Sequence, residues 1–330
     1  MSKKFKTFRI EIDEKNNVKR NIKTRFLKQL PKGDVLIKVK YSSVNYKDAL
    51  SANGNRGITK NYPHTPGIDA AGIVEKSEDK RFKKGDKVLV TGYDLGMNTD
   101  GGFSEYIRVP ANWPVKLPKN LTLKESMIYG TAGYTAALSV YRLIEKIKPN
   151  DGDILVTGAT GGVATNAISI LGKLGYNVVA ATSKLEKKEF LKTLGAKKVV
   201  DRHKLEISKD KLLASAKFAG AVDTVGGNTL SSALKMLNYD GVATTCGNIG
   251  GDTFKASIYP FILKGTHLIG IYSAKSPRDT REIIWNLLAR EWKIDFTNQQ
   301  INVITFENLN DTIHSLLNGT HVGRTILKLD

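Results

Sequence analysis

Hydrophobic and polar positions follow two different patterns along this chain of 330 residues. From residue 1 to about residue 121, apolar residues form short runs separated by turn residues, which is typical of β-strands. We predict strands over residues 35–44, 70–77, 87–93 and 103–110. This part of the chain therefore predicts a small β-rich domain or barrel.

After Pro118 the pattern changes, because apolar residues recur at the spacing of one helix face between about residues 121 and 145. Short apolar strands and helices then alternate as far as about residue 273, with helices predicted over 162–174 and 185–194. This alternation is typical of βαβ units, in which a parallel sheet carries helices on both faces. The predicted fold class is α/β, with a doubly wound parallel sheet of the Rossmann type beside the β-rich part.

The composition fits a packed protein of two domains. Hydrophobic residues make up 41% of the chain and glycine contributes 30 residues, which excludes disorder as the main state. Cys246 is the single cysteine, so a disulfide framework and a multi-cysteine zinc or iron–sulfur site are excluded. The N-terminus lacks an apolar signal core, and no run of 18 uninterrupted apolar residues occurs. We therefore expect no export, no membrane span and a cytoplasmic location.

The formal net charge of +19 is concentrated near the N-terminus, where residues 1–60 hold 16 Lys and Arg against 5 Asp and Glu. Such an excess is typical of proteins that bind nucleic acid. The basic residues are dispersed among apolar ones, however, and no RNA or DNA motif is present. A lysine-rich genome composition explains the excess without a function, and we favour that interpretation. A nucleic-acid-binding protein on the same α/β fold is kept as the alternative function.

Residues 154–184 carry the most informative motif. A predicted buried strand runs into Gly158-Ala159-Thr160-Gly161-Gly162-Val163-Ala164 and then directly into a helix with an apolar face. Backbone N–H groups and the helix N-terminus meet there, which favours an anionic pyrophosphate. The strict G-x-G-x-x-G is absent, and the loop reads Ala159-x-Gly161-x-x-Ala164 instead. A glycine-rich turn without a ligand is the alternative, but the spacing of strand, loop, helix and second strand favours a dinucleotide site.

The end of the second strand discriminates between the nicotinamide cofactors. An NAD enzyme places Asp or Glu about 20 residues beyond the loop, where it accepts hydrogen bonds from the ribose hydroxyls. This chain has Thr182, Ser183 and Lys184 at that place, and Arg202 follows the third strand. Hydroxyls and cations suit a 2′-phosphate, so NADPH is the predicted cofactor. Lys184 taken alone also fits a solvated lysine at the start of a helix.

Several motifs, in order along the chain, resemble a known family. They are V-K-Y-S-S-V-N-Y-K-D-A-L (39–50), P-G-I-D-A-A-G-I-V (66–74), G-D-K-V-L-V-T-G (85–92), G-G-F-S-E-Y (101–106) and G-T-A-G-Y-T-A (130–136). Together with the glycine loop they resemble the zinc-free quinone oxidoreductase branch of the medium-chain dehydrogenase/reductase superfamily. Within that branch, N-Y-K-D-A-L, A-G-A-V-D-T-V-G and the final G-R-T-I-L-K-L are most similar to the YhdH/YhfP group, which includes acrylyl-CoA reductases.

The resemblance implies a domain organisation and a set of cofactor-binding residues. Residues 1–124 and 268–330 would form a discontinuous GroES-like catalytic domain, with a Rossmann NADPH-binding domain over 125–267, in a homodimer that acts on a small molecule. The pyrophosphate would lie along Thr160, Gly161, Gly162 and Val163. The adenosine 2′-phosphate would lie at Thr182, Ser183, Lys184 and Arg202. The nicotinamide half would lie near Asn248, Ile262 and Ser273.

The chain departs from the zinc enzymes of this superfamily. Zinc alcohol dehydrogenases carry Cys and His where this chain has Asn45 and Ile68, and four cysteines hold their structural zinc. We therefore expect no metal, and without a Lewis acid the hydride acceptor must already be electron-poor. An enoyl thioester of the acryloyl-CoA type, an enone or a quinone meets that condition. Hydride would pass from the nicotinamide C4 to the acceptor's β-carbon, and hydrogen bonds would stabilise the developing enolate oxygen.

Tyr46 is the candidate catalytic residue. The resemblance implies that it lies beside the nicotinamide, where its phenol would hold the cofactor or protonate the product. The alternative is that Tyr46 only packs against the ring. We interpret Asn45 and Asp48 as turn and capping residues, and Cys246 as a small buried residue, because no base that would activate its thiol is identifiable.

Overall fold

The computed structural model describes residues 3–298 and 300–329. The chain forms two compact units, and each is built from separate stretches of sequence. Unit 1 comprises Met1–Thr131, Ala274–Glu282 and Gln300–Asp330, and unit 2 comprises Ala132–Ser273 and Ile283–Gln299. No helix within the described residues combines the length and the apolar character needed to cross a membrane.

The first part of the chain is mostly β-structure, as its alternating pattern predicts. Its elements in chain order are β1 (Lys4–Ile12), β2 (Val18–Phe26), β3 (Val35–Val44), α1 (Tyr46–Ala52), β4 (Asp69–Ser77), β5 (Lys87–Thr91), β6 (Tyr106–Val109), β7 (Val115–Lys116) and α2 (Leu123–Ile144).

The middle of the chain alternates between strands and helices. Its elements are β8 (Ile154–Val156), α3 (Gly162–Lys173), β9 (Val178–Thr182), α4 (Lys188–Thr193), β10 (Ala196–Asp201), β11 (Phe218–Asp223), α5 (Gly227–Lys235), β12 (Leu237–Thr245), α6 (Tyr259–Lys264) and β13 (His267–Gly270). The last part consists of α7 (Arg278–Ala289), β14 (Ile301–Ile304), α8 (Leu309–Leu317) and β15 (Arg324–Lys328).

Unit 1 contains a seven-stranded sheet and a separate ribbon. The sheet runs in the order β14–β15–β3–β4–β5–β7, and β6 pairs with β3 outside this path. The last strand of the chain thus completes a sheet that begins near its start, with Thr325 opposite Val44 in antiparallel register. The core beneath it is apolar and includes Phe8, Ile37 and Phe103, each at most 1% exposed. Burial of this apolar surface is the main force that holds the strands together.

Unit 2 contains a six-stranded parallel sheet in the order β10–β9–β8–β11–β12–β13. The chain moves outward in one direction from β8 to β10 and in the other from β11 to β13. The point of reversal lies between β8 and β11, and in open parallel sheets ligands bind at the carboxyl ends of the strands at such a point. The predicted Rossmann-type sheet is therefore confirmed.

Two predicted helices differ from the observed ones. The helical pattern between residues 121 and 145 corresponds to α2, but the backbone of Gly130 breaks it with φ 50° and ψ −156°. The predicted helix over 185–194 is a short 3₁₀ turn, Leu185–Lys187, followed by α4. The apolar spacing continues across Gly130 and across the change from 3₁₀ to α-helical geometry at Lys188, so the sequence pattern shows neither irregularity.

The predicted domain limits, 1–124 with 268–330 and 125–267, stay a prediction, and the compact units are drawn elsewhere. Residues 125–131 belong to unit 1, whereas residues 268–273 and 283–298 belong to unit 2. Aromatic packing accounts for the last of these segments. The ring of Trp285 stacks on Tyr134 with 6.0 Å between the centroids, and Trp292 lies 6.4 Å from Tyr141.

Candidate active site

The glycine loop lies between β8 and α3, at the carboxyl end of β8. Gly158 has a φ of 61°, and a Cβ atom there would lie 2.6 Å from Thr224 Oγ1. Gly161 caps α3, and the N–H of Thr165 donates to the Gly161 carbonyl over 2.9 Å. The N–H groups of residues 162–164 come before this first hydrogen bond of the helix. They therefore point out of the helix end and attract an anion. The loop has the geometry of a phosphate cradle.

A cavity of about 200 Å³ opens beside this loop. It lies at the carboxyl ends of β8 and β9, on the edge of the sheet where the strand order reverses. Its lining includes four residues predicted from the sequence: Thr160, Thr182, Ser183 and Arg202. Apolar residues line its deeper part, among them Leu155, Ala181, Ala233 and Met236. A flat apolar ring with polar groups at one end suits such a cavity.

Strand register places Arg202 beside the end of β9. Asp201, the last residue of β10, stands opposite Thr182 in the parallel pairing of the two strands. Arg202 therefore comes next to Ser183, at the start of the 3₁₀ turn Arg202–Leu205. The N–H of His203 donates to the Asp201 carboxylate over 3.0 Å, which fixes the beginning of this turn.

Lys184 differs from Arg202 in its surroundings. Its backbone N–H donates to Thr182 Oγ1 over 3.0 Å. Its side chain is half-buried and does not belong to the described lining of the cavity. Ser183 and Arg202, which were predicted to bind the same phosphate, do line the cavity. Of the two predicted cations, Arg202 is thus the one that the structure brings to the cavity.

The sequence analysis missed a carboxylate at this cavity. Glu206 lines it and follows the turn that Arg202 begins. His203 Nδ1 lies 3.1 Å from Glu206 Oε1, and the two side chains are about half exposed, at 56% and 51%. An acid that binds the ribose of NAD stands at the end of the second strand, whereas Glu206 lies in a loop beyond the third. No local sequence pattern marks it, because its place at the cavity depends on the contact between the turn after β10 and α5.

A second missed residue, Asp223, organises the strand ends around the glycine loop. Its carboxylate is fully buried at the end of β11. Thr157 Oγ1 donates to it over 2.7 Å, Thr245 Oγ1 over 2.9 Å and the N–H of Gly226 over 2.9 Å. These contacts join the ends of β8, β11 and β12. Asp223 therefore positions the loop backbone rather than a ligand, and the A-V-D-T-V-G segment at a strand end was its signal.

The three residues predicted near the nicotinamide half lie in unit 2 but outside the described lining of this cavity. Asn248 is exposed after β12, and the side chain of Ile262 on α6 is 65% exposed. Ser273 Oγ accepts a hydrogen bond from Thr135 Oγ1 over 2.8 Å.

Cys246 follows β12 and is not set up as a nucleophile. Burial and the nearby Asp223 charge raise the pKa of its thiol to about 12. The thiol is therefore protonated at neutral pH, and a thiol is a poor nucleophile compared with the thiolate. Its sulfur lies 3.6 Å from the Asp223 carbonyl oxygen.

Tyr46 lies in unit 1, at the first position of α1. Its side chain is 40% exposed. The helix start is fixed by Asn45 and Asp48, since Asp48 Oδ2 accepts from the N–H of Asn45 over 2.9 Å. Asp48 is thus a capping residue, as interpreted. Asn45 stands at the N-cap position, but its side chain bonds Asp69 and Arg324 instead of the helix N-terminus.

Asp48 is a fully buried acid with several donors around it. Its Oδ1 accepts from the N–H groups of Gly67 and Ile68 over 3.1 and 2.8 Å. Burial and the charge of Asp69 raise the pKa of Asp48 to about 7, although the donors on Ile68 and Asn45 oppose this shift. Asp48 is thus poised to change its protonation state near neutral pH.

Asp69 is the centre of a second buried group of polar contacts in unit 1. Its Oδ2 accepts from Asn45 Nδ2 over 2.9 Å and also from the Ser43 hydroxyl, and Thr131 Oγ1 donates to its Oδ1 over 2.6 Å. Arg324 is buried, with 3% of the residue exposed. Its Nη1 donates to Asn45 Oδ1 over 3.2 Å. Burial lowers the pKa of Arg324, and the charges of Asp69 and Asp48 counteract that effect.

Asn45 and Ile68 stand at the two positions that hold zinc ligands in zinc alcohol dehydrogenases, and both contact this polar network. Asn45 bonds Asp69, and Ile68 is buried with its N–H on Asp48. Neither side chain is a zinc ligand. Within residues 3–298 and 300–329, no group of three His, Cys, Asp or Glu side chains is arranged to hold a metal ion.

Comparison with known protein families gives two matches. The family described as "Alcohol dehydrogenase GroES-like domain" matches residues 31–119. The family described as "Zinc-binding dehydrogenase" matches residues 162–290.

Two similar proteins and two similar crystal structures indicate the group within these families to which the chain belongs. The protein named "Putative quinone oxidoreductase YhfP" of Bacillus subtilis is 45% identical over 323 residues, which cover 96% of this chain and 97% of that protein. "Acrylyl-CoA reductase AcuI" of Ruegeria pomeroyi is 38% identical over 319 residues, with coverage of 96% and 97%. The crystal structure of Bacillus subtilis yhfP with NAD bound has a TM-score of 0.96 at 43% identity, covering 99% of this chain and 100% of that one. The yhdH oxidoreductase from Salmonella enterica in complex with NADP has a TM-score of 0.95 at 37% identity, covering 98% and 100%.

The order of the six parallel strands and the glycine loop at their point of reversal are those of the Rossmann dehydrogenases. The protein is therefore an oxidoreductase with a GroES-like domain. The chain belongs to the quinone oxidoreductase and acrylyl-CoA reductase group of the medium-chain dehydrogenase/reductase superfamily. The resemblance that its motifs indicated is confirmed.

Proposed function

We propose that this protein is a zinc-independent, NADPH-dependent reductase that transfers hydride to an electron-poor small molecule. The observation that carries the proposal is the cavity beyond the phosphate cradle, where Arg202 stands beside the hydroxyls of Thr182 and Ser183. A guanidinium flanked by hydroxyls suits a phosphate monoester better than a bare ribose. The similar structures hold NADP in one case and NAD in the other, so the choice of NADPH rests on this chain's own residues.

The residues around the loop fit the rest of such a cofactor. The amides of Gly162 and Val163, with Thr160 and Gly161, would bind the pyrophosphate, because they lie at the open end of α3. Lys184 would add positive charge near the 2′-phosphate. Asn248, Ile262 and Ser273 are proposed to lie near the nicotinamide half, as the family resemblance implies.

The absence of zinc ligands at positions 45 and 68 restricts the chemistry. When bound, the reduced nicotinamide supplies a hydride, which an unactivated carbonyl accepts only with the help of an acid. An enoyl thioester, an enone or a quinone needs no such activation at the carbon that is attacked. Tyr46 is proposed to donate a hydrogen bond or a proton as negative charge develops on the acceptor oxygen. The network of Asn45 and Asp48 would keep its backbone in place.

Among these acceptors we favour a short enoyl-CoA thioester. A relative named as an acrylyl-CoA reductase is 38% identical over nearly the whole chain. A second relative bears the name of a quinone oxidoreductase at 45% identity, so quinones are the acceptors to compare.

We also propose that the protein is a homodimer and that it is located in the cytoplasm. We keep the predicted domain limits, 1–124 with 268–330 and 125–267, as part of this proposal. The edge strand of the sheet in unit 2, β13, and the neighbouring α6 support the dimer. Leu263 on α6 is 60% exposed, and Ile258 before it is 66% exposed. Large apolar side chains beside an open sheet edge are typical of surfaces that a second copy covers.

A steady-state assay of NADPH oxidation across acryloyl-CoA, a simple enone and a set of quinones tests the proposal. We expect the highest kcat/KM with acryloyl-CoA and little or no activity with saturated acyl-CoA. The metal-free enzyme, prepared by dialysis against a chelator, should keep full activity. Loss of activity on chelation and recovery with zinc would contradict the proposal, as would equal rates across all quinones with none for the thioester.

A further inference from the structure

Glu206 is an acid to which the proposed reaction gives no role, and it lines the cavity assigned to the adenosine. Among the described residues of that lining it is the only carboxylate. We propose that Glu206 recognises the exocyclic amine of the adenine base and thereby selects the purine of the cofactor. This inference rests on the proposed use of a nicotinamide adenine dinucleotide.

The position of Glu206 separates it from the groups that would bind the phosphate. Arg202 lies at the end of β10 next to β9, beside Ser183. Glu206 comes after the 3₁₀ turn, where the chain reaches α5: the N–H of Ile207 donates to Ser232 Oγ over 3.0 Å. Arg202 therefore occupies the β9 side of the cavity, and Glu206 the α5 side.

The apolar part of the cavity lies on the same side as Glu206. Leu205 precedes it in the chain, and Ala233 and Met236, at and just after the end of α5, are each 1% exposed. A purine that follows a ribose held near Ser183 would lie across these apolar side chains. Its polar edge would then face Glu206, because Ser232 on that side already accepts from the N–H of Ile207 and the other side chains there, apart from Thr229, are apolar.

Hydrogen-bond direction makes the carboxylate specific. The amine at C6 of adenine is a donor, and a carboxylate is an acceptor only. The imidazole of His203 lies between Arg202 and Glu206, with Nε2 3.4 Å from Arg202 Nε and Nδ1 3.1 Å from Glu206 Oε1, so the ring occupies Oε1. Oε2 is then available for the base. Hypoxanthine carries a carbonyl at C6 and a proton on N1, so at the place of the adenine amine its oxygen would face the carboxylate without a proton between them.

The test compares NADPH with its hypoxanthine analogue, the same dinucleotide with oxygen at C6 of the base. Both carry the same charge, so a general effect of surface charge on nucleotide affinity cancels in the ratio of their KM values. Because Glu206 is half exposed, we expect the wild type to favour NADPH by about fivefold. Glu206→Ala should bring the ratio close to one. Glu206→Gln should do the same while retaining affinity for both, since an amide accepts from an amine and donates to a carbonyl.

Glu189→Ala is the matched control. Glu189 is an exposed acid on α4 in the same unit, pairs with Lys192 and lies outside the described lining of the cavity. Its removal should leave the wild-type ratio unchanged. A wild type that uses both nucleotides equally, or a Glu206→Ala variant that keeps the wild-type ratio, would overturn the inference while leaving the proposed function intact. If the wild type oxidised neither nucleotide with any acceptor, the proposed function itself would fail.

Discussion

Two cations follow the ends of neighbouring strands, Lys184 after β9 and Arg202 after β10, and the structure gives them different surroundings. Arg202 lines the cavity beside Thr182 and Ser183, whereas the backbone of Lys184 folds back on Thr182 and its side chain lies outside the described lining. Position at the strand ends made the two residues equivalent in the sequence. The surroundings of the two side chains differ in the structure, and we expect Arg202 to contribute more than Lys184 to the choice of cofactor.

Replacement of Arg202 by Ala should therefore reduce the preference for NADPH over NADH. We expect the ratio of the two kcat/KM values to fall about tenfold, because an exposed charged hydrogen bond to the 2′-phosphate is lost. Lys184→Ala should lower the ratio by a smaller factor, about twofold to threefold. Lys187→Ala, which removes a lysine from the next turn, is the control. A preference unchanged in both Arg202→Ala and Lys184→Ala would contradict the proposal that these two cations select NADPH.

Tyr46 offers a second test at this scale. Tyr46→Phe removes only the phenolic hydroxyl from a side chain that is 40% exposed. If the hydroxyl stabilises the developing oxyanion, kcat should fall about a hundredfold while the affinity for NADPH changes little. Tyr239→Phe, at a position 84% exposed, should have no effect. Full activity of Tyr46→Phe would mean that the ring only packs.

The buried carboxyl of Asp48 links stability to pH. Because its pKa is raised to about 7 in the folded protein, it keeps its proton at pH values where the unfolded chain, with a pKa of 3.8, has lost it. The folded state then binds more protons, so the contribution of Asp48 to stability falls as pH rises from about 4 to about 7.

Urea unfolding of the wild type and of Asp48→Asn across this pH range isolates the effect. The free energy of unfolding of the wild type should decrease relative to that of the variant, by at most about 1.4 kcal/mol per pH unit for one proton. The constant offset between the two proteins reports the hydrogen bonds that the amide cannot accept. A difference that does not vary with pH would show that Asp48 titrates alike in both states.

At the scale of the element, α2 depends on an interruption that its sequence pattern hides. Gly130 has a backbone conformation, φ 50° and ψ −156°, that is accessible essentially to glycine alone. A Cβ atom there would also lie 2.7 Å from Asp69 Oδ2 and 2.9 Å from Arg324 Nη2. The break thus lets the helix backbone approach the buried carboxylate, to which the N–H of Thr131 donates over 2.9 Å.

Gly130→Ala should destabilise the protein by about 3 kcal/mol or more, since it combines backbone strain with collisions in a buried polar network. Gly175→Ala is the matched control. Gly175 also has a positive φ, 83°, but a Cβ atom there meets nothing within 4 Å, so about 1 kcal/mol is expected. Urea unfolding measures both values. Equal losses in the two variants would contradict the role given to the network.

Elements with a strong apolar pattern were predictable, and elements held by long-range contacts were not. β3 was predicted at its observed limits, because its buried residues alternate or run together over ten positions. The ribbon of β1 and β2 was not predicted, since six of the nine residues of β2 are polar and none of them is buried. The glycine loop was recognisable from local spacing. Glu206, by contrast, gains its place only when the turn after β10 meets α5, and no local pattern records that contact.

At the scale of the whole molecule, the charge of +19 has a partly internal explanation. Arg9 and Arg25 in unit 1 both pair with Asp100, at 2.5 and 2.6 Å, and all three side chains are at most 14% exposed. Lys23 pairs with Glu11 over 2.8 Å. Part of the N-terminal excess therefore serves the packing of unit 1. The basic composition and the oxidoreductase fold are compatible without a nucleic-acid partner.

We propose that this chain transfers hydride from NADPH to an electron-poor carbon without a metal. The most direct test follows deuterium from NADPH labelled at the nicotinamide C4 into the product formed from acryloyl-CoA by the chelator-treated enzyme. We predict propionyl-CoA with one deuterium at the β-carbon from one of the two C4 epimers, and a second hydrogen at the α-carbon that comes from solvent. Product without deuterium from either epimer, or turnover only after zinc is added, would contradict the claim.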